Sequence, residues 1–196
     1  MSETNFKSKI EKELYSSLDK ESFYERNEIP YDQGIINIIS LLLTNICEEN
    51  NEKNKKVIDK YFETNVEPSI SIKDYITRLF VFSKPEESTI ISCLIYIDRF
   101  CQNNQIILTK CNIYKLILAS FVVAMKYNED FIYSMDIFSK IGGISSTELI
   151  KIELKFLFMI EFDLFIDKEL YYNYYNNLKS LNLENEEIEE IEDDNV

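Results

Sequence analysis

A chain of 196 residues, 45% of them hydrophobic, is long enough for one domain with a substantial core. Its 35 acids against 21 bases give a net charge of -14, a field that repels nucleic-acid phosphates and anionic lipid surfaces, so neither is an expected partner. Three Gly and three Pro in the whole chain are too few for the tight turns of a sheet protein, and the expected fold class is all-α.

Residues 1–30 read as a polar arm, rich in Glu, Lys and Ser with scattered aromatics. It is either a short amphipathic helix or a mobile segment. Residues 1–26 are polar and charged throughout and predict no secretory leader. The domain proper is expected over 31–180. Its first helix spans about 35–48 and is dense in Ile and Leu; a Lys- and Asn-rich link follows. A second helix is predicted from about Ser71 to Phe82. Pro85, followed by Glu86 and Glu87, starts a third that reaches about Asn103 and buries Ile90, Ile91, Leu94, Ile97 and Phe100. From Ile117 to Met125 the chain carries no charge on any helical face, so the helix over 113–127 belongs at the centre of the domain. Ala119, Ser120 and Ala124 form a small-residue stripe on it, and Lys115 and Lys126 bracket too few residues for a membrane span.

A short helix over 135–141 stops at Gly142-Gly143, a left-handed C-terminal exit. Ser145 with Glu148 three positions on is a capping box that opens a helix running to about Ile160. A last helical stretch, 168–178, carries a run of tyrosines. Glu184 to Asp194 holds eight acids and no base, more than half of the net imbalance. Like charge at that density predicts a solvated, disordered tail over 181–196.

Catalytic chemistry has little to work with. The chain has no His, which removes the commonest general base, metal ligand and triad partner. No Gly-rich loop could cradle phosphate. Cys47, Cys93, Cys101 and Cys111 lack metal-type spacing and read as free thiols of a reducing compartment. No catalytic residue, metal or cofactor is expected, and the protein is expected in the cytoplasm or nucleus. Two charged residues stand out. Lys126 follows directly on the apolar central helix. Glu153 falls on the apolar stripe formed with Leu149, Phe156, Leu157 and Ile160, where a carboxylate is costly unless it sits at the stripe's edge or meets a cation.

Several stretches together resemble a cyclin box of the single-box P/U type, from about Pro68 to Ile166. They are Pro68-Ser-Ile-Ser-Ile-Lys-Asp-Tyr-Ile-Thr-Arg-Leu79, Tyr96-Ile-Asp-Arg99, Leu118-Ala-Ser-Phe-Val-Val-Ala-Met-Lys126, Lys140-Ile-Gly-Gly-Ile-Ser145, Glu148-Leu-Ile-Lys-Ile-Glu153, Phe156-Leu157 and Phe162-Asp-Leu164. The resemblance implies a five-helix cyclin box, here with an additional N-terminal helix and a short C-terminal helical extension. It implies a non-catalytic regulatory subunit that binds and activates a cyclin-dependent kinase, with kinase substrates as further partners. By the same resemblance Lys126 and Glu153 contact the kinase backbone near its regulatory helix, with Phe131 and Phe156 as apolar neighbours. Asp130, with Glu129 as its substitute, occupies the arginine cluster that otherwise holds an activation-loop phosphate. Asp98, Arg99, Gly142 and Gly143 take structural roles.

Two departures narrow this expectation. The arginine of the mitotic-cyclin docking patch is absent where the chain reads Pro68-Ser69-Ile70-Ser71-Ile72. Arg-x-Leu docking is therefore in doubt, and Asp98, which pairs with that arginine in the mitotic group, needs another partner. Nor is there room for a second box after Ile166. The rival readings are a cyclin-fold adaptor or scaffold that activates no kinase and a cyclin-like general transcription factor, the latter opposed by the acidic balance.

Overall fold

In the computed structural model, which describes residues 33–53 and 60–193, the described residues form helices and no strands. In chain order these are α1 (Gln33–Lys53), α2 (Ile72–Ser83), α3 (Glu87–Asn104), α4 (Ile113–Asn128), α5 (Met135–Gly142), α6 (Ser146–Met159) and α7 (Lys168–Asp193). The polar arm expected over residues 1–30 lies outside the described residues.

The hub is α4. From Ile113 to Met125 every residue but Lys115 is buried. α3 and α6 pack against it, with α2 adjoining. Charge-free faces have this consequence: a helix with no polar side cannot meet water and must be enclosed. The small residues serve the crossing with α3. Ser120 Oγ donates to the Ile117 carbonyl at 3.0 Å and lies 2.9 Å from Cys93 Sγ of α3.

Local chemistry sets the helix ends. Ser71 Oγ accepts the Asp74 N–H at 3.0 Å to start α2, and Ser145 Oγ accepts the Glu148 N–H at 3.1 Å to start α6. The Glu148 carboxylate, however, reaches Lys115 Nζ at 2.8 Å. Half of the expected capping box forms, and the other partner ties α6 to α4 instead. Gly143 takes φ 73° at the end of α5, with the Ile144 N–H on the Ser139 carbonyl at 3.0 Å. Gly142 is needed for a different reason. A Cβ there would fall 2.4 Å from Leu118 Cδ2, so α4 and α5 touch backbone to side chain.

Two acid–base neighbours on α3 hold the C-terminal part of the chain. Arg99 donates to the Asp163 and Phe165 carbonyls at 2.7 and 2.9 Å and pairs with the Asp163 carboxylate at 3.4 Å, fixing the α6–α7 link. Asp98 Oδ2 accepts from Tyr174 Oη at 2.6 Å and Gln102 Nε2 at 2.7 Å. Tyr174 thus takes the place of the missing arginine. Burial and this bond raise its phenol above the ordinary tyrosine value.

α7 corrects one expectation. The stretch read as a disordered tail is helical as far as Asp193. Leu178 is buried, and Leu170, Tyr171, Tyr174 and Tyr175 pack on the core, so the helix is nucleated by docking. Its continuation is rich in glutamate, a good helix former that adds one backbone bond per residue.

Candidate functional site

Helical geometry divides α6 into two apolar stripes. Leu149, Ile152, Phe156 and, just past the helix, Ile160 recur at three- and four-residue intervals and are all but inaccessible. Ile150, Leu154 and Phe158 recur at four-residue intervals on another face, where they are 51, 52 and 60% exposed. Glu153 stands at the edge of the buried stripe. Its Oε1 meets Nζ of Lys126, in the last turn of α4, at 2.5 Å. The carboxylate side chain is only 12% exposed against 35% for the lysine, so the carboxylate most in need of a cation has one. The pairing expected from the burial pattern is present.

The surface around the pair is rich in exposed apolar side chains. After α6 the chain turns through Glu161 and Phe162, at φ 57° and 55°. Left-handed backbone at residues other than glycine costs about 1–2 kcal/mol each. The turn is fixed by the Phe162 N–H bond to the Leu157 carbonyl at 2.9 Å. It leaves Phe162 exposed, edge-on to Phe158 with centroids 5.2 Å apart. Phe165 is exposed just beyond. Beside Lys126, the α4 end and the following segment expose Tyr127, Phe131 and Ile132, with Phe131 edge-on to Tyr133 at 5.2 Å.

Two expected site residues are elsewhere. Phe156 is completely buried, stacked on Phe100 at 5.0 Å with Phe62 edge-on to both, so it cannot touch a partner. It shares the interior stripe, two positions along the helix from both Leu154 and Phe158 of the outward one. Glu129 is engaged within the fold. Its Oε1 accepts the Glu86 N–H at 2.8 Å and the Thr89 hydroxyl at 2.5 Å, capping the start of α3. Glu86, the N-cap residue itself, gives no side-chain cap, so the free amide of that first turn recruits a carboxylate from 43 positions away. Asp130 is exposed. Asp98, Arg99, Gly142 and Gly143 all have the structural contacts given above. The sequence reading missed Tyr127, Ile132, Ile150, Leu154, Phe158, Phe162 and Phe165; for three of them the four-residue spacing was the available signal.

The chemistry of the rest is quiet. Burial pushes the Cys47, Cys93 and Cys101 thiols up to about 12, so they stay protonated at neutral pH. Among the described residues no group of three His, Cys, Asp or Glu is placed to hold a metal, and no helix is long and apolar enough to cross a membrane.

Comparison with known proteins agrees with the geometry. The Cyclin family model matches residues 20–164. Cyclin-U2-1 of Arabidopsis thaliana is 29% identical over 152 residues, covering 73% of this chain and 68% of the relative. Cyclin-U4-3 of the same plant is 33% identical over 142 residues, 72% of this chain and 65% of the relative. Cyclin-P3-1 of Oryza sativa subsp. japonica is 30% identical over 144 residues, 69% of this chain and 61% of the relative. With a buried central helix, a Lys126–Glu153 pair at the surface and matches of this extent, the chain belongs to the cyclin family, in its P/U-type branch, a family of regulatory rather than catalytic proteins.

Proposed function

We propose that this chain binds a cyclin-dependent protein kinase through the end of α4, the segment that follows it and the outward stripe of α6, and shifts that kinase toward its active state. The observation that carries the reading is the Lys126–Glu153 pair beside an apolar stripe left open to solvent. Contiguous exposed apolar area with a charged pair at its side is the composition of a docking surface, with an apolar interior and polar anchors. Lys126 Nζ keeps donors beyond the one it gives Glu153, and Glu153 keeps a second carboxylate oxygen. Together they can bind a backbone carbonyl and an N–H of the kinase beside its regulatory helix, which presents the glutamate that pairs with the catalytic lysine. Binding that is stronger in the active arrangement shifts the population toward it.

Asp130 adds a second element to the proposal. Exposed four residues after Lys126, its carboxylate can accept paired hydrogen bonds from the kinase arginines that otherwise hold an activation-loop phosphate. Glu129 cannot substitute for it, being committed to α3. The four free thiols are in keeping with action inside the cell. Co-purification of the full chain with cyclin-dependent kinases, followed by phosphorylation of a generic substrate, tests the reading. Formation of a complex with raised kinase activity is the expected result; a complex without activation would overturn the activating role, and no complex with any such kinase would overturn the proposal and favour the adaptor alternative.

A further inference from the structure

The segment that follows Lys126 is fastened to α3 at two consecutive residues. Glu129 caps the end of α4, with its N–H on the Met125 carbonyl at 3.1 Å and an extended backbone at φ -95° and ψ 139°. Its Oε1 accepts the Glu86 N–H at 2.8 Å and the Thr89 hydroxyl at 2.5 Å. One residue earlier, Asn128 Nδ2 donates to Ser92 Oγ at 3.0 Å, and Ser92 Oγ donates in turn to the Ser88 carbonyl at 2.7 Å. Glu86 is the N-cap of α3, and Ser88, Thr89 and Ser92 lie in its first two turns. Thr89 is completely buried and Glu129 half-buried, so the attachment reaches into the body of the domain.

The fastening faces one way and Asp130 the other. Successive side chains of an extended chain point to opposite sides. With Glu129 turned onto α3, its neighbour is sent outward, and Asp130 is exposed. Two adjacent acids therefore have separate tasks. The inward one fills amides that the first turn of α3 cannot satisfy itself, and the outward one is left for a partner. A carboxylate set against arginines carries less charge than a phosphate, so its hold depends on arriving already in place. A backbone ordered before the partner binds lowers the ordering cost of binding.

We infer that Asn128 and Glu129 are positioning residues for Asp130. Their bonds to α3 hold the Asp130 carboxylate outward before the kinase docks, and this preorganisation lets a single charge stand in for an activation-loop phosphate. The inference rests on the reading of Asp130 proposed above and adds to it two residues whose side chains are spent within the fold. Glu129 acts through the placing of an acceptor oxygen rather than through its charge, since both groups it binds are neutral donors.

The test is a double-mutant cycle in the full chain, bound to a co-purifying cyclin-dependent kinase whose activation-loop phosphate acceptor is replaced by alanine. Asp130→Ala and Glu129→Ala are each expected to lower the activity of the complex at least tenfold while the complex still forms. The double variant is expected to be no less active than Asp130→Ala alone, because a positioning residue has nothing left to position. Glu129→Gln, which keeps an acceptor oxygen, should hold activity within threefold of the parent. Should Glu129→Ala fail to fold, Asn128→Ala, which removes only the bond to Ser92, takes its place in the cycle with an expected loss of at least threefold. Losses that multiply in the double variant would overturn the positioning role, as would a Glu129→Gln no better than Glu129→Ala. Full activity of Glu129→Ala beside an impaired Asp130→Ala would overturn this inference and leave the reading of Asp130 standing; full activity of Asp130→Ala would overturn both.

Discussion

α4 and α6 carry similar densities of apolar side chains and spend them differently. α4 is enclosed on every side, and from Ile113 to Met125 it gives solvent only Lys115. α6 packs one stripe inward, through Leu149, Ile152 and Phe156, and leaves Ile150, Leu154 and Phe158 outside. An apolar residue in α4 is therefore fully used in folding, whereas three of those in α6 leave half or more of their surface in water in the folded monomer. The lesson is that apolarity of a helix and its burial are separate facts. Where they part, the surplus marks a surface shaped for another molecule.

The largest effect that would sharpen this contrast is on stability. Phe156→Ala should cost about 3–5 kcal/mol in chemical denaturation, because it empties a stacked aromatic site, while Phe158→Ala, two positions on, should stay within about 0.5 kcal/mol. Equal losses would break the distinction between the stripes. Next comes the pair that joins the two helices. Lys126→Ala or Glu153→Ala should weaken kinase binding by about 2–5 kcal/mol, since each leaves its partner charge uncompensated in a desolvated contact. An affinity unchanged in both variants would remove the pair from the docking surface. Within α4, Ala119→Leu should cost about 1–3 kcal/mol of stability by overpacking a fully buried position; a neutral result would show slack where none is seen. Smallest is Tyr174→Phe, which deletes one bond to Asp98 while Gln102 keeps another, and should cost about 0.5–1.5 kcal/mol, read as faster amide exchange in α7 than in α4.

Much of this was legible in the sequence, for reasons that differ from place to place. The core position of α4 follows from a property of a single segment, the absence of polar side chains on any face. The starts at Ser71 and Ser145 and the exit at Gly143 are likewise local, since a cap reaches three residues at most. The proximity of Lys126 and Glu153 was inferable because a carboxylate beside a buried stripe demands a cation. What remained hidden depends on pairs remote in the chain. The engagement of Glu129 is decided by unfilled amides at the start of α3, and the partner of Asp98 lies 76 positions on, at Tyr174. The two stripes of α6 are equally apolar in sequence. The spacing with Leu149 and Ile160 already put Phe156 on the inward stripe, and only the resemblance made it a kinase contact, a role its complete burial excludes. The helical tail was hidden by a conflict between charge repulsion and the helix preference of glutamate, settled by the docking of the residues before it.

The central claim, that the outward stripe of α6 is a kinase-docking surface, is tested most directly by titration calorimetry of the full chain against a purified cyclin-dependent kinase with which it co-purifies, alongside the Leu154→Glu variant. Leu154 is half exposed and outside the core, so the variant should melt at the same temperature as the parent. The account predicts that its affinity for the kinase falls at least a hundredfold, through a charge placed in the centre of the apolar contact. An affinity equal to the parent's, with the fold intact, would contradict it.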